Sequence, residues 1–140
     1  MSDVVVDACV VLALVLRESR ADDVSRALGE WASEGTGLHA PALAHYEIAS
    51  GLTRSRARGV LGEEDVAEAW AIVEGLGLVL HEPADGERVV EIACELERHS
   101  AYDAAYLALA ERLDAGLWTL DGPLFRNVDG RSEYRVHLID

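Results

Sequence analysis

The chain has 140 residues, with 26 acids against 12 bases and a formal net charge of −14. Half of it is hydrophobic and 27% is charged, which excludes an intrinsically disordered chain. The length suits one domain, spanning residues 1–140, that can bury a core without disulfide or metal staples.

Val4-Val5-Val6 is β-branched and continuous, the pattern of a strand covered on both faces in a parallel sheet. Asp7 ends it, and residues 8–17 read as a buried helix. The run from Val4 to Leu16 lacks a basic leader and is too short to cross a bilayer, so it reads neither as a signal peptide nor as a membrane span. A helix follows over 21–34, interrupted by Gly29, and then a short strand over 38–40. Pro41 stands where helices begin, and 42–58 is helical. A helix over 63–74, a strand over 78–80 and helices over 84–98 and 101–115 come next, with Gly116 as a stop. A strand over 117–120, a turn at Asp121-Gly122-Pro123, a short helix and an edge strand over 134–138 complete the chain. Short strands alternating with helices predict a three-layer α/β/α sandwich around a mostly parallel sheet of about five strands.

All 12 bases are arginine, so the lysine on which a phosphoacceptor receiver domain relies is missing and no Gly-Lys phosphate loop exists. No G-x-G-x-x-G follows the first strand, which removes a dinucleotide-binding fold. The acidity argues against a general nucleic-acid coat, which needs a basic face. Cys9 and Cys94 form no C-x-x-C pair and read as reduced, buried thiols of a cytoplasmic protein without a membrane anchor. The five histidines (His39, His45, His81, His99 and His137) have no metal-ligand spacing. Trp31, Trp70 and Trp118 suit a core or an interface.

Four acids stand where structure alone explains them poorly. Asp7 follows three valines at the carboxyl end of a strand, where open α/β sheets bind ligands, though an N-cap would also suit it. Glu47 shares a helical stripe with Leu43, Ala44, Ile48, Gly51 and Leu52, so it is paired, protonated or metal-bound; Arg54, two turns on, is a possible partner. Asp103 follows Ser100 in a capping-box pattern, yet shares a face with Tyr106, Leu107 and Ala110. Asp121 ends another apolar strand ahead of a turn.

Taken in order, these segments resemble the PIN-domain family, and within it the VapC-like toxins of toxin–antitoxin pairs. The resemblance lies in Val4-Val5-Val6-Asp7-Ala8, in Pro41-Ala42-Leu43 leading to Glu47, in Tyr102-Asp103-Ala104-Ala105-Tyr106-Leu107-Ala108-Leu109-Ala110, and in Leu117-Trp118-Thr119-Leu120-Asp121. It covers nearly the whole chain. It implies a metal site at the strand ends, endonuclease activity on RNA, homodimerisation and inhibition by a cognate antitoxin. Cys9 departs from the hydroxyl residue that many relatives carry two positions after the first acid. An all-oxygen donor set of Asp7, Glu47, Asp103 and Asp121 suits Mg²⁺ or Mn²⁺ rather than zinc. Thr119 is expected to reach the site through its hydroxyl, and Arg54, Arg56 and Arg58 to contact RNA phosphates, unless they only complement a helix C-terminus. A catalytically silent PIN-like domain that binds a protein partner and a metal-dependent phosphatase are the competing functions.

Overall fold

In the computed structural model, residues 2–98, 100–128, 131 and 133–140 are described. His99 lies outside them.

Five short strands form one sheet: β1 (Asp3–Val6), β2 (Gly37–Pro41), β3 (Val79–His81), β4 (Gly116–Thr119) and β5 (Val136–Leu138). Their order is β3-β2-β1-β4-β5, and every pairing is parallel. The helices are α1 (Ala8–Val15), α2 (Ala21–Glu34), α3 (Leu43–Ala57), α4 (Glu63–Gly75), α5 (Gly86–Glu95), α6 (Tyr102–Leu113) and α7 (Gly122–Val128). Val4, Val5 and Val6 are all buried, as a central parallel strand requires, each contributing about 1.5–3 kcal/mol by leaving water. On one side, α6 lies across β1, β2 and β4 with α5 against it. On the other, α1 packs on β4 and gathers α2, α3 and α4 around itself. Gly51 lets α3 and α1 approach closely, since a Cβ there would meet the Leu12 side chain of α1 at 2.5 Å and push its methyl groups aside. The chain first grows from β1 outward to β3 and then restarts on the far side of β1 at β4. The junction of β1 and β4 is therefore the topological switch point.

Several expected boundaries move. Pro41 ends β2 instead of opening a helix; it sits beside the edge strand β3, and Ala42 donates its N–H to the His81 carbonyl. Gly116 starts β4, and the left-handed turn that ends α6 is taken by Asp114 at φ 53°. Gly35 does close α2 in the left-handed conformation, at φ 72°. Gly29 is accommodated within an unbroken α2. The edge position of β5 is as expected. Cys94 is exposed rather than buried: α5 turns Ile92 and Ala93 inward, which leaves Cys94 outside with Val90. Trp31 is in the core, edge-on to Trp118 at 5.3 Å, and Trp118 stacks on His137 at 4.6 Å. No described helix is long and apolar enough to cross a membrane.

Candidate functional site

The site forms where β1 and β4 end side by side. Asp7 leaves β1 as the N-cap of α1, its Oδ1 accepting from the Cys9 N–H at 3.4 Å. Thr119, the last residue of β4, is fully buried. Its hydroxyl donates to Asp7 Oδ2 at 2.8 Å and accepts from the Asp121 N–H at 2.9 Å. One hydroxyl has one proton, so the Cys9 thiol, 3.5 Å from the same oxygen, is the donor in that contact. Thr119 thus ties the Asp7 carboxylate at the end of β1 to the Asp121 backbone just beyond β4. Asp121 caps α7 by accepting from the Leu124 N–H at 3.0 Å with Oδ1.

The other two acids come from helices on opposite layers. Tyr106 of α6 is buried, accepts from the Ala8 N–H at 3.2 Å and donates to Glu47 Oε1 at 2.6 Å. This tyrosine is the partner of Glu47; Arg54 makes no ion pair with it. Nor is Glu47 in the middle of the buried stripe. Ala44, Ile48, Gly51 and Leu52 form that stripe against the core, while Leu43 and Glu47 sit half-buried on its margin, facing α6. Asp103 lies in the first turn of α6, whose N-cap is Ala101 without a side-chain bond, so the Ser100 capping box does not form. Instead Arg98 approaches Asp103 at 3.8 Å.

The electrostatics are those of neighbouring acids that raise one another. Burial raises the Asp7 pKa against the opposing bonds from Thr119 and Cys9, and the Asp103 charge raises it further. Glu47 is raised by burial and then by Asp7 and Asp103, against the Tyr106 bond. Asp103 is raised by burial and by Asp121, with Arg98 opposing. Burial next to Asp7 also pushes the Cys9 thiol up to about 12, so it stays protonated. Among the described residues, no three His, Cys, Asp or Glu groups are already drawn together as a metal cage. The four acids offer only oxygen atoms, and the repulsion among those that raise one another is of the kind a hard divalent cation would relieve. The described histidines are engaged elsewhere: His39 with His81, His45 with Trp70, and His137 with Trp118.

The model of the PIN domain family matches residues 4–131. The chain belongs to the PIN-domain family. Ribonuclease VapC3 of Pyrobaculum aerophilum is 36% identical over 127 residues, 86% of this chain and 90% of the relative. Ribonuclease VapC9 of Mycobacterium tuberculosis is 39% identical over 120 residues, 84% of this chain and 85% of the relative. The crystal structure of VapBC2 from Rickettsia felis bound to a DNA fragment from its promoter superposes with a TM-score of 0.74 at 14% identity, covering 99% of both chains. That of PAE2754 from Pyrobaculum aerophilum does so with a TM-score of 0.68 at 21% identity, covering 99% of this chain and 92% of the other. Both share the fold.

In this PIN domain the arginines of α3 lie beyond Glu47 toward the helix C-terminus. Arg56 pairs with Glu63 at 3.8 Å, both exposed. Arg54 lines an open cleft of about 480 Å³ together with Leu43, Tyr46, Glu47, Ser50 and Tyr102. The two cleft tyrosines and the Tyr106 hydroxyl were not singled out as functional from sequence. For Tyr106 there was a signal: it follows Asp103 by three residues on the same inward face of α6.

Proposed function

We propose that this chain is a metal-dependent endoribonuclease, the toxin of a toxin–antitoxin pair, which hydrolyses RNA phosphodiester bonds at the Asp7–Glu47–Asp103–Asp121 cluster. What supports the reading most is that acids borne by the end of β1, by α3, by α6 and by the chain just beyond β4 approach the switch point, where burial and then a neighbouring acid's charge raise Asp7, Glu47 and Asp103. The matches to curated VapC ribonucleases along most of the chain support it.

Asp7, Glu47, Asp103 and Asp121 would hold Mg²⁺ or Mn²⁺. When bound, such an ion offsets phosphate charge and lowers the pKa of water, which makes a nucleophile available at neutral pH. The chain's own residues supply the rest. Thr119 holds Asp7 and Asp121 in fixed relation, and Tyr106 fixes Glu47 by a short charge-assisted bond. Glu47 sits on the cleft side, where its second oxygen can orient the attacking water and accept its proton. Arg98, beside Asp103, stands where it can offset charge on a bound phosphate. The same acidic pocket suits inhibition by a basic antitoxin segment, since an inserted arginine would pair with these carboxylates. A homodimer and a cytoplasmic location complete the proposal.

The test is calorimetric titration with Mn²⁺ at neutral pH alongside cleavage of total RNA, for the wild type and for Asp103→Asn. The expected result is binding by the wild type, lost or much weakened in the variant. RNA turnover should fall by about two orders of magnitude, the usual weight of one electrostatic group at a reacting centre. Equal cleavage by both proteins would overturn the assignment. Turnover of a generic phosphomonoester in place of RNA would favour the phosphatase reading instead.

A further inference from the structure

The chain has four tyrosines and treats them in two ways. Tyr106 and Tyr134 are buried, with their hydroxyls bonded to Glu47 and Glu95. Tyr46 is 74% exposed and Tyr102 is 63% exposed. Both exposed rings line a cleft that opens beside Glu47. Their places in the chain match this: Tyr46 immediately precedes Glu47, and Tyr102 immediately precedes Asp103. They also come from opposite walls, Tyr46 from α3 and Tyr102 from the first residue of α6. Along α3, Tyr46, Ser50 and Arg54 repeat every four residues, so the wall runs from an aromatic face through a hydroxyl to a cation. Among the described residues, Arg54 has no acid within ion-pair distance.

An aromatic ring left in water forgoes the burial that usually secures it. Two of them on facing walls of a cleft, next to acids and a cation, suit a ligand with flat faces and a regular anion. We propose that Tyr46 and Tyr102 are base-stacking platforms that hold single-stranded RNA across the carboxylates, with Arg54 taking a phosphate further along the strand. This rests on the ribonuclease reading and adds the side chains that hold the strand. Stacking on a side chain requires a base already out of its duplex, because bases within an A-form helix offer no free face. Every base has such a face, so these platforms give strand-form selectivity rather than sequence selectivity. The charge of the chain points the same way. At a net −14 it repels a polyanion over most of its surface, so a strand is held where stacking assists a local cation.

The probe is a fluorescein-labelled 16-nucleotide RNA of mixed sequence, used alone and as a duplex with its complement. Anisotropy titrations use Asp103→Asn protein, whose slowed turnover keeps the probe intact over the titration, and add Tyr46→Leu, Tyr102→Leu or Tyr→Phe at each position. Both rings are exposed, so all variants should keep the parent's circular dichroism and sedimentation. The single strand should bind more tightly than the duplex. Each leucine variant should weaken it by about tenfold, and each phenylalanine variant should stay within about twofold of the parent. Leucine variants that bind as the parent does, or a parent that binds no strand, would overturn the platforms. So would leucine variants that change the oligomeric state, which would make these rings a protein interface. Wild-type cleavage of total RNA is scored separately. If the wild type does not cut while the parent's binding depends on the rings, the nuclease reading fails and the platforms stand.

Discussion

Two hydroxyl groups hold this site together, and each joins elements that the chain brings together only on folding. Thr119 bridges Asp7 and Asp121 across the ends of β1 and β4. Tyr106 bridges the first turn of α1 to Glu47 on α3 from its own position on α6. Replacing Tyr106 with phenylalanine keeps the ring in its buried slot and removes only the oxygen. The Ala8 N–H then loses its acceptor in the interior, and the half-buried Glu47 loses a donor that water partly replaces. Unsatisfied buried donors cost about 1–3 kcal/mol, so Tyr106→Phe should lose about 2 kcal/mol in urea unfolding with an unchanged denaturant slope. A loss under about 0.5 kcal/mol would mean that water already serves both groups. Asp7, Asp121 and Thr119 were legible in the sequence because an acid that closes an apolar strand is itself a local pattern. The Tyr106–Glu47 bond was not, because it depends on how α3 leans on α6. The stripe on α3 put Glu47 in the core, and packing instead turned it to the margin.

At the scale of elements, the edge of the sheet is secured by a polar chain that crosses three strands. Arg112 of α6 lies 3.4 Å from His81 Nδ1, His81 Nε2 is 2.9 Å from His39 Nδ1, and His39 Nε2 is 3.4 Å from Asp3 Oδ1. Arginine can only donate, so His81 Nδ1 accepts, and the His81 proton is on Nε2. His39 then accepts at Nδ1 and carries its own proton on Nε2, toward Asp3. This order requires a neutral His81. Burial, followed by His39 and Arg112, lowers its pKa accordingly. A base whose folded pKa lies below its unfolded value of about 6.5 contributes stability that is complete above that pH. The contribution is lost as the pH falls through the folded value. The raised carboxylates Asp7, Glu47 and Asp103 act in the opposite sense at lower pH, so the clean quantity is a difference between two proteins. Relative to the wild type, His81→Phe should be least stable at pH 7 and should recover as thermal unfolding is followed down to pH 5. Parallel pH profiles would show that His81 does not titrate through this contact. The pairing was hidden in the sequence, where the two histidines are 42 residues apart and meet only through the β2–β3 register. The layers were visible in the valine run and the alternation of elements. Their boundaries at Pro41 and Gly116 were not, because a sheet neighbour decided each of them.

The whole molecule poses an electrostatic problem, since a chain with 26 acids is proposed to hold a polyanion. Several of its arginines are spent internally: Arg20 and Arg26 on Asp23, Arg88 on Glu91, Glu95 and Glu111, and Arg135 on Asp114. At the end of α3, Arg56 faces Glu63, whereas Arg54 and Arg58 have no acid within ion-pair distance among the described residues. Phosphate contacts by arginine release counterions, at about 0.7 per contact on a single strand. Two such contacts give a slope of log K against log salt of about −1.4. Salt also screens the repulsion from the rest of the surface, which makes the net slope shallower, at about −1. Titration of a labelled single-stranded RNA between low and physiological salt should return that shallow slope. The Arg54→Ala/Arg58→Ala protein should bring it close to zero, because the Arg98 contact beside Asp103 and the opposing surface repulsion are then what respond to salt. Arg56→Ala alone should change it little, since the Glu63 partner already offsets that charge. A steep slope that survives loss of both arginines would place the phosphate path elsewhere on the molecule and leave the end of α3 with only a helix-capping role.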